Sequence, residues 1–291
     1  MLAEKKNFTV VRMARLLGVS RSGFYAWVKR EPSKQEERRE DLAKKITRSH
    51  AESDGVYGAP RVRADLQASG EKVSRKTVAK IMRNLNLKGV FPRRFQTTTL
   101  RDNADTYPDD LAKGQWDKGE VNRLWVGDIT YLKTWEGWLY LAIVMDAHSR
   151  RIVGWAIDDT MTADLVEDAL AMAYTLREDL PDEVIFHTDK GTQYASNQMC
   201  EWTKDRGVVR SMGATGVAWD NAMAESFFAT LKTEFYYRHT WPTKQAAIQG
   251  VARWIEETYN RKRRHSALGQ LDPVSYEMRQ FNYQPLDQQA A

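Results

Sequence analysis

Three acidic residues occupy positions where a chain rarely leaves surface charge. Asp128 lies inside an apolar strand pattern, flanked by Val126, Ile129 and Tyr131, although aspartate is depleted from strand interiors. Asp189 closes the run Val184-Ile-Phe-His-Thr-Asp just before Lys190-Gly191, at the carboxyl end of a strand, where open α/β sheets place ligands. Glu225 follows the small-residue stretch Gly213-Ala-Thr-Gly-Val-Ala218 and opens a helix through Phe227, Phe228 and Leu231, with 35 residues between it and Asp189. Carboxylates converging from two strands and a helix suit hard divalent cations such as Mg²⁺ or Mn²⁺, which take oxygen ligands. Two such ions about 3.5–4 Å apart activate an attacking oxygen and neutralise a leaving one in an in-line phosphodiester displacement, without a side-chain nucleophile. Taken one at a time, each acid reads equally well as a cap, a turn residue or an ion-pair partner, so the chemistry depends on their convergence.

The elements that would bring them together are legible as patterns. Leu124–Leu132, Trp138–Met145 and Arg151–Ile157 are β-branched or aromatic runs with short connections, which predicts an antiparallel meander. An amphipathic helix over Thr162–Leu176, a strand Glu183–His187, a helix Ser196–Arg206 and a strand Val208–Met212 follow. The fold class expected is therefore α/β, a layered core with a mixed sheet. Upstream the texture is helical. Val10, Met13, Leu16 and Leu17 recur at helical spacing, Gly18 breaks the run, and Ser20 or Ser22 caps a second helix with Phe24, Trp27 and Val28 on one side. This is helix-turn-helix spacing, with Arg21 at the start of the second helix. A charged helix over Ser33–His50 leads to a second hairpin. One of its helices starts at Pro60, and the other is capped by Ser74 and carries Val78, Ile81, Met82 and Leu85. Arg75, Lys76 and Lys80 lie at that last helix's start or on its outer face, where phosphates or base edges are met.

Composition narrows the function. The chain has 291 residues and 42% hydrophobic content, enough for two or three domains with a buried core. Cys200 is its only cysteine, which excludes disulfide frameworks, Cys₂His₂ zinc modules and iron–sulfur clusters. Neither a membrane-length apolar run nor a secretory signal stands out, which leads to a cytoplasmic expectation. The net charge of +5 conceals an asymmetry: residues 1–100 carry 23 basic against 10 acidic side chains, while the rest is net acidic. A basic lobe joined to an acidic one fits a nucleic-acid grip attached to a region with another task. The divisions expected are 1–32 and 33–90 as two helix-turn-helix-like segments, 91–121 as a linker, 122–240 as the catalytic core and 241–291 as a helical, basic extension. Trp135, Trp138, Trp155, Trp202, Trp241 and Trp254 read as core or helix-packing residues.

Four segments carry a further signal: Trp125-Val-Gly-Asp-Ile-Thr-Tyr131, His187-Thr-Asp-Lys-Gly-Thr-Gln-Tyr194, Trp219-Asp-Asn-Ala-Met-Ala-Glu-Ser-Phe-Phe228 with Lys232, and Tyr259-Asn260 through Arg264-His265 to Leu268. With the helical region from Tyr57-Gly58 to Gly89, they resemble the transposases of the insertion sequence 3 group of bacterial mobile elements, the second-reading-frame product. The one small departure is Thr188, where that family often has serine. The resemblance implies a ribonuclease H-like, retroviral integrase-type core with Asp128, Asp189 and Glu225 as the triad holding two Mg²⁺ or Mn²⁺ ions. It implies cleavage at element ends and strand transfer by the 3′-hydroxyl. It also implies DNA contact by Lys232, which lies two turns past Glu225 on the same helix face. Asn221 and its small neighbours would let the helix approach DNA closely. Arg261, Arg263, Arg264 and His265 read as a phosphate-contacting segment. Gly191, Gln193 and Tyr194 read as shaping a turn and touching DNA, and His187 as a core histidine. The partners implied are double-stranded DNA (terminal inverted repeats and target), further copies of the chain on DNA, and a first-frame product or a fusion with it. Two other readings fit the residues: a plain ribonuclease H-type nuclease or resolvase, and a catalytically silent DNA-binding protein derived from a transposase.

Overall fold

The computed structural model describes residues 1–91, 108–178, 180–213 and 222–281. Most of the expected linker, Asn221, and the Trp219-Asp220 pair before it lie outside the described residues. The chain divides into two compact units, Met1–Gly89 and Val90–Ala291.

The first unit is all-helical: α1 (Val10–Leu16), α2 (Arg21–Val28), α3 (Lys34–Glu52), α4 (Ala59–Ala68) and α5 (Arg75–Asn84). Side-chain oxygens cap four of the five starts, and α4, with Gly58 at its N-cap, begins without one. Thr9, Ser20 and Ser74 cap α1, α2 and α5, and Ser33 forms a capping box with Glu36 on α3. Leu42, Ile46, Val62, Leu66, Val78 and Met82 form a buried centre for α3, α4 and α5. The short hairpin α1–α2 differs from the sequence expectation. Met13, Ala14 and Phe24 are buried, but Leu16 and Trp27 are 77% and 62% exposed. Two helices of two turns each have too little surface to cover both apolar sides.

The second unit holds a five-stranded sheet of β1 (Leu124–Thr134), β2 (Gly137–Asp146), β3 (Ile152–Asp158), β4 (Val184–Thr188) and β5 (Val208–Met212), in the order β3-β2-β1-β4-β5. β1, β2 and β3 form the antiparallel meander, while β1–β4 and β4–β5 are parallel. The parallel pairings require crossovers. These are α6 (Ala163–Leu176) between β3 and β4, and α7 (Thr192–Ala195) with α8 (Asn197–Asp205) between β4 and β5. After β5 come α9 (Ala222–Glu234), α10 (Lys244–Arg253) and α11 (Pro273–Phe281), with a π-helical turn over Trp254–Tyr259. This is a ribonuclease H-like core preceded by an all-α helix-turn-helix-like region.

Strand alternation sorts side chains into two layers. Leu124, Val126, Leu139, Leu141, Ile143 and Met145 pack against Ala224, Phe227 and Leu231 of α9 and Val251 of α10. Trp125, Ala142, Val144 and Phe186 face Leu165, Ala169 and Leu170 of α6 and Met199 and Trp202 of α8. α6 lies so close to the sheet that a Cβ on Gly154 would stand 2.0 Å from the carbonyl oxygen of Ala169. Residues 108–121 also join this unit. Ala112 is fully buried, Leu111 donates its N–H to Ser211 Oγ at 2.9 Å, and Trp116 meets His187 edge-on.

The segment after α10 anchors the layer that carries Glu225. Asn260 clamps edge strand β3 by accepting from Ile152 N–H at 3.0 Å and donating to Ile152 C=O at 2.9 Å. Arg263 donates two hydrogen bonds of 2.7 Å to the carboxylate of Glu234, the last residue of α9, and both side chains are under a tenth exposed. Removing one partner of such a pair strands a buried charge. Arg263→Ala should therefore lower unfolding stability by about 3–5 kcal/mol, and Arg263→Lys, which loses the planar fork, should recover only part of it; urea unfolding measures both.

Candidate functional site

The parallel pairing of β1 with β4 places the first two acids. Val126 is opposite His187, so two residues further along each strand Asp128 comes level with Asp189. Neighbouring strands lie about 4.8 Å apart. By the same alternation Asp128 shares a face with Leu124 and Val126, the face covered by α9, and Asp189 shares it with Ile185. Glu225 stands in the first turn of α9, exposed, while Met223, Ala224, Phe227 and Phe228 anchor the helix to the sheet. Gly127 admits the Phe186 ring: a Cβ there would sit 2.5 Å from the ring tip, forcing β1 away from β4 one residue before Asp128.

The electrostatics register this gathering. The Asp128 carboxyl is pushed up to about 8 by burial first, then by the negative charges of Asp189 and Glu225; the N–H of Ile129 and the amine of Lys232 oppose the shift. Asp128 Oδ1 accepts from Ile129 N–H at 2.7 Å, and Asp189 Oδ1 accepts from Gly191 N–H at 3.0 Å. One oxygen of each carboxylate is thus tied to its own backbone. Lys232 donates to Thr130 Oγ1 at 2.7 Å and lies 4.7 Å from the centre of the Tyr131 ring. Desolvation lowers its amine below the usual lysine range, and the Asp128 charge works against that. Among the described residues, no group of three or more His, Cys, Asp or Glu side chains is placed so that it could hold a metal ion as it stands. What stands at this edge is a set of mutually repelling carboxylates with one nearby amine, a donor set of the kind that hard divalent cations take.

Two of the residues read from the sequence as meeting DNA depart from that reading. Tyr194, expected to meet DNA, is buried against Phe186. Its hydroxyl, which has no hydrogen-bond partner among the described residues, is held well above the usual tyrosine range by burial and then by Asp128 and Asp189. No local signal distinguishes it from a turn tyrosine, because its burial comes from α6 and the sheet. Arg263, expected to contact phosphate, is instead committed to Glu234 beneath the surface. The rest of that basic run is mixed: Arg261 is exposed, Arg264 donates to the Gln270 carbonyl at 2.7 Å, and His265 packs edge-on against Tyr259. Arg21, Arg75 and Lys76 are exposed at the starts of α2 and α5. His187 is a core histidine, fully buried with Nδ1 2.8 Å from Ser211 Oγ. The sequence also gave no notice of Asp146. Buried at the end of β2, it accepts from the N–H groups of Asn122, His148 and Ser149 and so fixes the entry to β1.

A mixed sheet in this order, with an acid-bearing helix laid across the end of its parallel pair, defines an integrase-type core. Family models agree: two described as integrase core domains match residues 119–218 and 206–273, and one described as an HTH-like domain matches residues 37–95. The chain is 38% identical over 273 residues to transposase InsF of insertion sequence IS3A from Escherichia coli K12, covering 93% of this chain and 94% of that one. It is also 38% identical over 265 residues to a transposase for element IS986/IS6110 from Mycobacterium tuberculosis H37Rv, covering 89% of this chain and 95% of the relative. A looser similarity joins it to the HTLV-2 integrase catalytic core domain, with a TM-score of 0.42 and 17% identity over 54% of this chain and 96% of that one. The chain belongs to the insertion sequence 3 family of transposases.

An aspartate that holds its proton more tightly when folded than when unfolded stabilises the fold most at low pH. That contribution is present below the unfolded value near 4 and is lost as pH rises towards about 8. Stability of the metal-free protein should fall across this window. Asp128→Asn should flatten the fall, and equal slopes for both proteins in urea unfolding from pH 5 to 9 would remove the raised carboxyl from the account.

Proposed function

We propose that this chain is a DNA strand transferase that cuts at the ends of its insertion element and joins the released 3′-hydroxyl to target DNA. Its catalytic residues are Asp128, Asp189 and Glu225. The observation that supports this reading most is the meeting of carboxylates from β1, β4 and α9 at one sheet end, close enough that the other two charges raise the Asp128 carboxyl. Two Mg²⁺ or Mn²⁺ ions, when bound by these carboxylates, would supply activation of the attacking oxygen and neutralisation of the leaving one.

The chain's own residues do the rest. Ile129 and Gly191 orient the two aspartates through backbone hydrogen bonds, leaving the second oxygen of each for a ligand. α9, pinned at its far end by Arg263, holds Glu225 against the open edge. The Lys232 amine, fixed on Thr130, puts positive charge where the DNA backbone passes the carboxylates. In cleavage a water oxygen bonds to phosphorus and the 3′-oxygen leaves with a proton. In joining, that 3′-hydroxyl bonds to a target phosphorus and the target's own 3′-oxygen leaves.

The labour divides along the chain. Segments 1–32 and 33–90 contact element DNA through Arg21, Arg75 and Lys76, 122–240 carries the chemistry with 108–121 packed onto it, and 241–291 adds Arg261, Arg264 and His265. The working form is a homo-oligomer on DNA in the bacterial cytoplasm, alone or with a first-frame product. Among the described residues no helix is long and apolar enough to cross a membrane.

Replacing Asp128, Asp189 or Glu225 with Ala should abolish joining while DNA binding persists, and excess chelator should do the same. Joining retained by any one variant removes that residue from the triad. Each phosphate contact steepens the dependence of log affinity on log salt by about 0.9. Arg75→Ala and Lys76→Ala in the full chain should therefore each weaken binding and flatten that slope by about one; an unchanged slope places the DNA elsewhere.

A further inference from the structure

Three residues past Asp128, on the face of β1 turned away from α9 by strand alternation, the β1–β2 hairpin leaves large aromatic side chains in solvent. Tyr131 is 61% exposed, Trp138 46% and Trp135, at the tip, 74%. Trp135 and Trp138 were expected to be core residues; the structure exposes both, although the hairpin tip is held to the start of α10 by Trp135 N–H on the Trp241 carbonyl and Lys244 N–H on Glu136. Register explains the grouping. Lys133 is opposite Trp138 and Tyr131 opposite Tyr140, so Tyr131, Lys133 and Trp138 emerge on one face as direct or diagonal neighbours. The rings of Tyr131 and Trp138 meet edge-to-face at 5.3 Å, and the Lys133 amine lies 5.7 Å from the Trp138 ring centre. Lys232 touches the other end of the cluster, 4.7 Å from the Tyr131 ring centre, and its amine is also bonded to Thr130, two residues from Asp128.

Exposed aromatic rings interleaved with lysines are the chemistry of a single-stranded nucleic-acid platform. Bases stack on the rings while the amines follow the phosphates, and no particular base is required. A protein partner of mainly apolar contacts would not call for a lysine at each end of the ring pair. We infer that Tyr131 and Trp138, bracketed by Lys133 and Lys232, form a base-stacking subsite for unpaired nucleotides of the DNA strand flanking the phosphodiester held at the carboxylate edge. This rests on the strand-transfer reading for its substrate. The subsite holds the strand frayed, so that the end cannot re-pair and withdraw.

The test uses the full chain and an element-end duplex carrying a single-stranded tail of about six nucleotides, with normal bases or with abasic residues that keep the phosphates. The wild-type protein should bind the base-bearing tail roughly five- to a hundredfold more tightly than the abasic one. Tyr131→Ala and Trp138→Ala should bring the base-bearing tail down to the abasic level and leave abasic binding unchanged, and the Phe variants should retain most of the preference. Equal wild-type affinity for the two tails, or equal weakening of both by the Ala variants, overturns the subsite; the second outcome is what a protein-docking surface would give. Metal-dependent joining is measured on the same preparation. Joining without base preference sinks this inference alone, whereas base preference without joining sinks the catalytic reading and leaves the stacking intact.

Discussion

Repulsion between carboxylates is the constraint around which the second unit is organised. Burial first, and then the negative charges of Asp189 and Glu225, raise the cost of ionising Asp128, and a flexible chain would separate the three. They stay together because three rigid elements meet at one edge. The parallel register fixes the two aspartates level with each other. The helix bearing Glu225 is buried along most of its length by Ala224, Phe227, Phe228 and Leu231. Hydrophobic burial of about 25 cal/mol per Å², summed over two core layers, outweighs a few partly solvated like-charge contacts.

The supports are placed accordingly. The ion pair of Glu234 and Arg263 fastens the end of α9 remote from Glu225, and Asn260 fastens edge strand β3. Asp146 ties the start of β1 to the turn after β2 through its own buried carboxylate. Each of these polar groups has its partners inside the fold, which is what buried polar groups require. The carboxylates of the site do not: each aspartate keeps one oxygen beyond its backbone bond, and the Tyr194 hydroxyl beneath them has no partner among the described residues. Satisfied polar groups hold most of the frame; among the described residues Arg151 Nε, Arg177 Nε and Gln270 Oε1 are also without a partner, away from the carboxylates.

Charge is partitioned between the units in the same sense. The second part of the chain is net acidic, and three of its carboxylates belong to the sheet edge. The basic first part carries Arg21, Arg75 and Lys76 exposed at helix starts, where the helix dipole adds to their attraction for phosphate. Near the carboxylates, Lys232 and Lys133 provide local positive charge. A polyanion brought to a cluster of carboxylates needs such charges, because repulsion otherwise keeps its phosphates away.

Period-two and period-3.6 patterns determined by themselves the element types, the mixed sheet and the helical lead-in, because local burial preference is written in local spacing. The acids were likewise visible as residues in the wrong company: Asp128 in an apolar strand, Asp189 at a strand's end, Glu225 at a helix start. The fates of Arg263, Tyr194, Trp135 and Trp138 were decided only by the tertiary structure. A basic run reads the same whether its members face solvent or a buried glutamate 29 residues earlier, and an aromatic in a strand reads as core wherever the strand runs. Burial at those positions depends on where a helix from a distant part of the sequence happens to end. Covering one surface with another is a long-range event that no local period encodes.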